Sequence, residues 1–190
     1  PNGYRSWYTN IDLEALKSIW GLETGTSATA INLSSNNFNE NISDNSIVSS
    51  LSSSDSDPLD SHTYSLVSGS GDDNNSHFTI DGSSLKINYS PDFENKSSYK
   101  IRIQSTDSYG NTYSELLPLT VNDTNEAPTD LQLISTSFNE NIAASTIVSA
   151  IISTDDDTSD PRTYSLVSGS GDTDNNLFTI YKGVGITYLK

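Results

Sequence analysis

The chain has 190 residues, with 25 acidic against 9 basic side chains for a formal net charge of −16, and it contains no cysteine. That charge argues against nucleic acid and anionic membrane surfaces as partners and favours cations. The absence of thiols excludes disulfides and thiolate metal sites and leaves hard oxygen donors as the ligands in supply.

In chain order, the first feature is a short amphipathic helix expected over residues 10–21. Leu13, Leu16, Ile19 and Trp20 fall at helical spacing, Asn10 is placed as the N-cap, Asp12 lies in the first turn and Gly21 is the stop. Residues 1–22 are therefore read as the helical tail of a preceding domain, and the Gly, Thr and Ser stretch at 23–29 as a linker. From Ala30 the period of apolar residues becomes two. Candidate strands are Ile31–Leu33, Ile47–Leu51, Tyr64–Val67, Phe78–Ile80, Leu85–Ile87, Tyr99–Gln104 and Leu116–Val121, about seven as in a β-sandwich. In the sixth, Tyr99, Ile101 and Ile103 are expected to face the core, and Lys100, Arg102 and Gln104 to face water. Pro118 places the last strand at a sheet edge, because proline cannot donate to a ladder.

The same words then return. Phe38-Asn39-Glu40-Asn41 reappears as Phe138-Asn139-Glu140-Asn141, Tyr64–Asp72 as Tyr164–Asp172, and Phe78-Thr79-Ile80 as Phe178-Thr179-Ile180, always 100 residues on. A period this long suits a whole small domain repeated end to end rather than a solenoid. The expected fold class is thus all-β, with tandem Greek-key β-sandwich repeats following one short helix. The first repeat covers 30–122, a linker 123–128, and a second, truncated repeat 129–190. Since the sequence opens at Pro1 and stops inside the second copy, it is expected to be an internal piece of a longer polypeptide. No stretch approaches the roughly 20 apolar residues of a membrane span, and no signal peptide is recognisable.

An alternating up-and-down strand order predicts where the acids fall. Glu40 lies in the first long connection, Asp92 and Glu94 in the connection before the sixth strand, and Asp123, Asn125 and Glu126 in the exit linker, so all belong at one end of the first repeat. Asp155 and Asp157 lie at the facing end of the second. So many carboxylates in one place repel one another without a counterion, and Ca²⁺, which takes about 6–8 oxygen ligands, suits such a cluster. At the other end of the first repeat Asp55, Asp57 and Asp107 form a half-site, which is read as ordinary loop acids because the 21–29 linker has no matching acidic motif.

These words resemble the cadherin repeat family, including bacterial cadherin-like repeats, over residues 28–180. Phe38–Asn41 resembles the family's glutamate motif, Pro91–Glu94 its Asp-x-x-Glu-type motif, Ser105–Ser108 its Ala-x-Asp motif, Asp123–Pro128 its acidic linker, and Asp155 with Asp157 its Asp-x-Asp pair. The resemblance implies calcium ligation by Glu40, Asp92, Glu94, Asp123, Asn125 (through a backbone or amide oxygen), Glu126, Asp155 and Asp157. It also implies an extracellular or cell-surface location and a role in adhesion or spacing, with other surface proteins or glycans as further partners. The linker is one residue shorter than the family pattern, with Ala127 where a second asparagine is expected.

Trp7–Gly21 is similar to the last helix of metzincin-type zinc protease domains. The rival reading is accordingly an accessory region of a secreted zinc metalloprotease whose catalytic domain lies upstream. Within the chain His62 and His77 stand alone and are read as solvent-facing, with no zinc-site spacing and no nucleophile elbow, so no enzyme is expected here. A glycan-binding sandwich is the third reading, with Tyr89, Tyr99, Tyr109 and Tyr113 as its candidate aromatics.

Overall fold

The computed structural model describes residues 25–57 and 60–190, together with Ile19. The helix expected over 10–21, and with it the protease-like segment, lies outside the described residues apart from Ile19. The described chain is all-β and divides into two compact units, the first ending at Asp123 and the second beginning at Thr124.

In unit 1, β1 (Ala30–Leu33), β3 (Ile47–Ser54), β6 (Ser84–Ile87) and β5 (Phe78–Asp81) form one sheet in the order β1-β3-β6-β5. The other sheet contains β2 (Asn37–Asn39), β8 (Thr112–Asn122), β7 (Ser98–Asp107) and β4 (His62–Leu66) in the order β2-β8-β7-β4. Their inner faces make one core. Ile31, Leu51, Leu85 and Ile87 from the first sheet meet Tyr99, Ile101, Ile103 and Leu119 from the second, the two-layer packing of a sandwich. The alternation in β7 is as expected, since Tyr99 is 1% exposed while Lys100 between the inward residues faces water. Phe38, Phe78 and Tyr99 make an aromatic centre with ring centroids 5.3–6.4 Å apart. Burial first, then the Tyr89 hydroxyl 3.0 Å away, raises the Tyr99 phenol above the usual tyrosine range.

Several expectations are corrected here. Phe38 is in β2, a strand the sequence did not reveal, because a three-residue element with one apolar side chain has no readable period. Its partner is β8, in parallel, with Phe38 opposite Val121. This means β8 is flanked on both sides, and Pro118 is accommodated because β2 covers only Thr120–Asn122. Ile47, the first residue of the second candidate strand, is 59% exposed because the register slips between Ile47 and Ser49, so that the adjacent Val48 and Ser49 are both buried. The histidines are not solvent-facing. His77 packs edge-on against Tyr89 and Tyr99, and His62 lies in β4 with Nε2 3.1 Å from Asp55. The four tyrosines do not share an exposed face either, since Tyr99 is core, Tyr89 and Tyr113 pack against it and only Tyr109 is exposed.

Unit 2 contains β9 (Asp130–Leu133), β10 (Ser149–Thr154), β11 (Ile180–Lys182) and β12 (Thr187–Leu189) in a sheet ordered β11-β12-β10-β9. This is the arrangement of β5-β6-β3-β1 repeated. Ser49 pairs with Leu85 in unit 1, and Ser149 pairs with Leu189 in unit 2, so the last strand sits 104 rather than 100 residues on. A turn four residues longer, through Gly183 and Gly185, absorbs the difference, and the divergent stretch 181–190 thereby regains the sheet register.

Candidate metal centre

The loops of unit 1 bring acids together for local reasons. Phe38 is anchored in the core, so the chain leaving β2 is fixed beside the end of β8. Asn41 then takes a left-handed conformation with φ 58°, which asparagine tolerates, and its N–H donates to the Pro91 carbonyl at 2.9 Å. This joins the loop after β2 to the loop before β7. Glu40 is turned inward, 4% exposed, and its Oε2 accepts the Phe93 N–H at 2.7 Å. Asp92 folds its own loop by accepting the Asn95 N–H at 2.8 Å. The outcome is that Glu40, Asp92 and Glu94 each place a carboxylate oxygen within 4.8 Å of the others. Asp123, the last residue of the unit, places one within 4.8 Å of Glu94.

The remaining four expected ligands form a hydrogen-bonded set within unit 2. Asp157 Oδ2 accepts the Glu126 N–H at 2.6 Å and the Asn125 amide at 3.1 Å. Asp155 Oδ1 accepts the Asp157 N–H at 3.2 Å. Asp155 and Asp157 are both buried, each 8% exposed. Sequence reasoning missed Arg162, whose Nε lies 3.6 Å from Asp155 Oδ2. A signal was present, because Arg162 and His62 stand 100 residues apart, each seven residues after the first aspartate of its loop.

At the other end of unit 1, separated by the length of β7, the acidic group is Asp55, Asp60 and Asp107. This corrects the expected trio. Asp57 is occupied elsewhere, with Oδ2 accepting the Thr26 N–H at 2.7 Å and the Thr26 hydroxyl at 3.0 Å. Residues 26–29 therefore repeat the backbone role of residues 126–129. Thr26 N–H meets Asp57 as Glu126 N–H meets Asp157, and Thr29 N–H meets Ser54 O as Thr129 N–H meets Thr154 O. The difference is that Thr26 brings no carboxylate where Glu126 has one. Asp60 Oδ1 accepts the Ser108 hydroxyl at 3.0 Å, while its Oδ2 is buried without a hydrogen-bond partner among the described residues. The Asp107 carboxyl is pushed up by burial but more than compensated by the Asn111 amide and by the N–H groups of Asn111, Tyr109 and Gly110, so its pKa falls below the ordinary aspartate value. That of Asp55 is lowered as well, first by the Asp57 N–H and then, against burial, by His62 and Thr26.

The donors are oxygens throughout, from carboxylates and amides, and Glu40 is held by a backbone N–H through one oxygen. Such a set fits a hard cation of flexible coordination, as Ca²⁺ is, better than a metal that selects nitrogen or sulfur.

Fold and loops together define a class of protein, a β-sandwich repeat with acidic clusters at the loop ends. The chain is similar in structure to human protocadherin-24 EC1-2 (TM-score 0.58, 21% identity, covering 85% of this chain and 80% of that one). It is similar also to protocadherin gamma B2 extracellular cadherin domains 3-6 (0.53, 15%, 84% and 38%) and to the human desmocollin-1 ectodomain (0.51, 18%, 84% and 33%). The chain thus spans well under half the length of the latter two. Its structural neighbours are cadherin extracellular domains, and its repeats are cadherin-like in fold. No family model and no curated protein matches the sequence.

Proposed function

We propose that this chain is a pair of extracellular cadherin-like repeats stiffened by Ca²⁺ at the linker, serving adhesion or spacing within a larger secreted or surface protein. The observation that carries the reading is the group of Glu40, Asp92 and Glu94 within 4.8 Å in unit 1. It is supported by the separate oxygen set of Asn125, Glu126, Asp155 and Asp157 in unit 2, with Asp123 as the residue through which one unit leads into the other. Bound there, calcium would supply positive charge that neutralises the carboxylates of both units. Glu40 holds the 91–94 loop in place, Asp157 holds the linker backbone, and Asp155 presents its second oxygen beside Arg162. Without the ion the acids repel and the linker is free to bend; with it they are drawn to a common centre. Calcium at ten to a hundred times its dissociation constant adds roughly 1.4–2.7 kcal/mol per site, enough to order a hinge. No native cysteine interferes with labelling, so spin labels at Ser83→Cys and Ser170→Cys report the distance between units. A broad distribution in chelator that narrows in millimolar calcium is expected, and equal breadth in both would remove the stiffening role.

A further inference from the structure

The two units differ at two matched positions of the same acidic end. Where unit 1 has Thr26 and His62, unit 2 has Glu126 and Arg162, each 100 residues on. One exchange adds a negative charge and the other a permanent positive one, since a guanidinium keeps its proton at any pH a folded chain meets and an imidazole does not. The framework around them is unchanged. Asp57 N–H donates to Asp55 Oδ1 at 3.1 Å, and Asp157 N–H to Asp155 Oδ1 at 3.2 Å. Likewise the N–H of Thr26 reaches Asp57 at 2.7 Å, and that of Glu126 reaches Asp157 at 2.6 Å.

Arg162 is seated to act on the acids of unit 2. Its Nη2 donates to the Asp157 carbonyl at 3.4 Å, and its Nε lies 3.6 Å from Asp155 Oδ2. That Nε is buried with no hydrogen-bond partner among the described residues, so what it faces is the Asp155 charge. The Asp155 side chain is 4% exposed, and a carboxylate taken so far out of water requires a counter-charge. The contact belongs to the fold of the repeat, because in unit 1, with both sheets in place, His62 Nε2 stands 3.1 Å from Asp55 Oδ2. Placement of Asp155 does not depend on the arginine, since the Asp157 N–H already holds Oδ1. What Arg162 adds is charge.

We propose that Arg162 is a built-in counter-cation of the unit 2 acids, which offsets part of their charge when no ion is present and lowers the affinity with which they take calcium. The first half stands on the ion pair alone, and the second rests on the calcium-stiffened linker proposed for this chain. A calcium ion sits about 2.4 Å from a carboxylate oxygen, so one taken by Asp155 Oδ2 is at most about 6 Å from Nε. Across about 6 Å of water-like surroundings a single and a double positive charge repel enough to weaken binding roughly tenfold. The set therefore fills only at higher calcium than its acids alone would require.

The full chain is compared with its Arg162→Gln and Arg162→Lys variants. In chelator at low salt, amide exchange at Glu126 and Asp157, whose N–H groups bond the aspartates, should quicken severalfold in Arg162→Gln and stay near the parent rate in Arg162→Lys. The gap should close in about 1 M salt, where the screening length falls to roughly 3 Å. A calorimetric calcium titration should give Arg162→Gln a dissociation constant roughly tenfold below that of the parent. Exchange in Arg162→Gln that matches the parent, quickens equally at low and high salt, or is shared by Arg162→Lys overturns the counter-cation. Equal or weaker calcium binding by Arg162→Gln overturns the effect on affinity. If neither parent nor variant takes up calcium, the calcium-stiffened linker and the affinity half fall together, while the exchange comparison still decides the first half.

Discussion

Replacing Asp92 by asparagine should change the stability of unit 1 in opposite directions with and without calcium. Asp92 lies within 4.8 Å of both Glu40 and Glu94, and at that separation each like-charge pair costs about 0.9 kcal/mol in water-like surroundings and about 3.5 kcal/mol at an effective dielectric of 20. Asp92 and Glu94 are exposed, so the lower figure applies to each of the two pairs, and removal of the charge should stabilise the calcium-free unit by up to about 1.7 kcal/mol. The bond that folds the loop survives, because an asparagine oxygen can still accept the Asn95 N–H. In a domain of this size 1 kcal/mol is roughly 4–8 °C in Tm. In calcium the variant lacks one charged ligand, and the roughly 1.4–2.7 kcal/mol per site gained by the parent at ten to a hundred times its dissociation constant falls below about 0.4 kcal/mol if the variant only half fills the site. Scanning calorimetry in chelator and in millimolar calcium, with hydrogen exchange at Ile101 and Ile103 to identify the unit 1 transition, should therefore give lines that cross. Equal shifts in both conditions would refute the account of Asp92 as both repelled and ligating.

Glu40→Ala should destabilise unit 1 even in chelator, by roughly 1.5–3 kcal/mol, because the Phe93 N–H loses a charged acceptor; Glu40→Gln, which keeps an acceptor, should recover most of this in a chelator melt while failing to bind calcium. Gly71→Ala should be worse than Gly171→Ala, since both have φ near 90° but only Gly71 has Leu116 of β8 where a Cβ would stand; the second pays about 1–2 kcal/mol of left-handed strain alone, and denaturant melts of the two variants measure the gap. The lowered carboxyls of Asp55 and Asp107 give unit 1 a stability that is full above the unfolded aspartate value of 3.8 and lost as pH falls through their lower folded values; Asp107→Asn should flatten the acid limb of a chelator melt series.

Legibility in the sequence followed the strength of the period. The inward set of β7 could be read directly, because Tyr99, Ile101 and Ile103 alternate over a long strand with charged neighbours. β2 could not, as its single apolar residue fits its place only through parallel pairing to β8, some 80 residues away. Glu40, Asp92 and Glu94 lie together as loop order predicts, since strand direction alone decides which end a loop occupies. At the opposite end spacing does not reveal that Asp60 joins Asp55 and Asp107, nor that Thr26 engages Asp57. The repeat did hold that information, in the correspondence of Thr26 with Glu126 and of Thr29 with Thr129. Arg162 leaves no trace in an acidic pattern, and His62, expected to face solvent, meets Asp55 only once β4 is in place.

The most direct measurement is a calorimetric calcium titration of the chelator-stripped chain, comparing the parent with a Glu94→Ala, Asp155→Ala double variant, which removes one proposed ligand from each unit. About two or three ions bound by the parent, lost or severely weakened in the double variant, is the expected result. An absence of binding at millimolar calcium, or binding that the double variant retains unchanged, would contradict a calcium centre at the linker and leave the acids as a plain charged spacer.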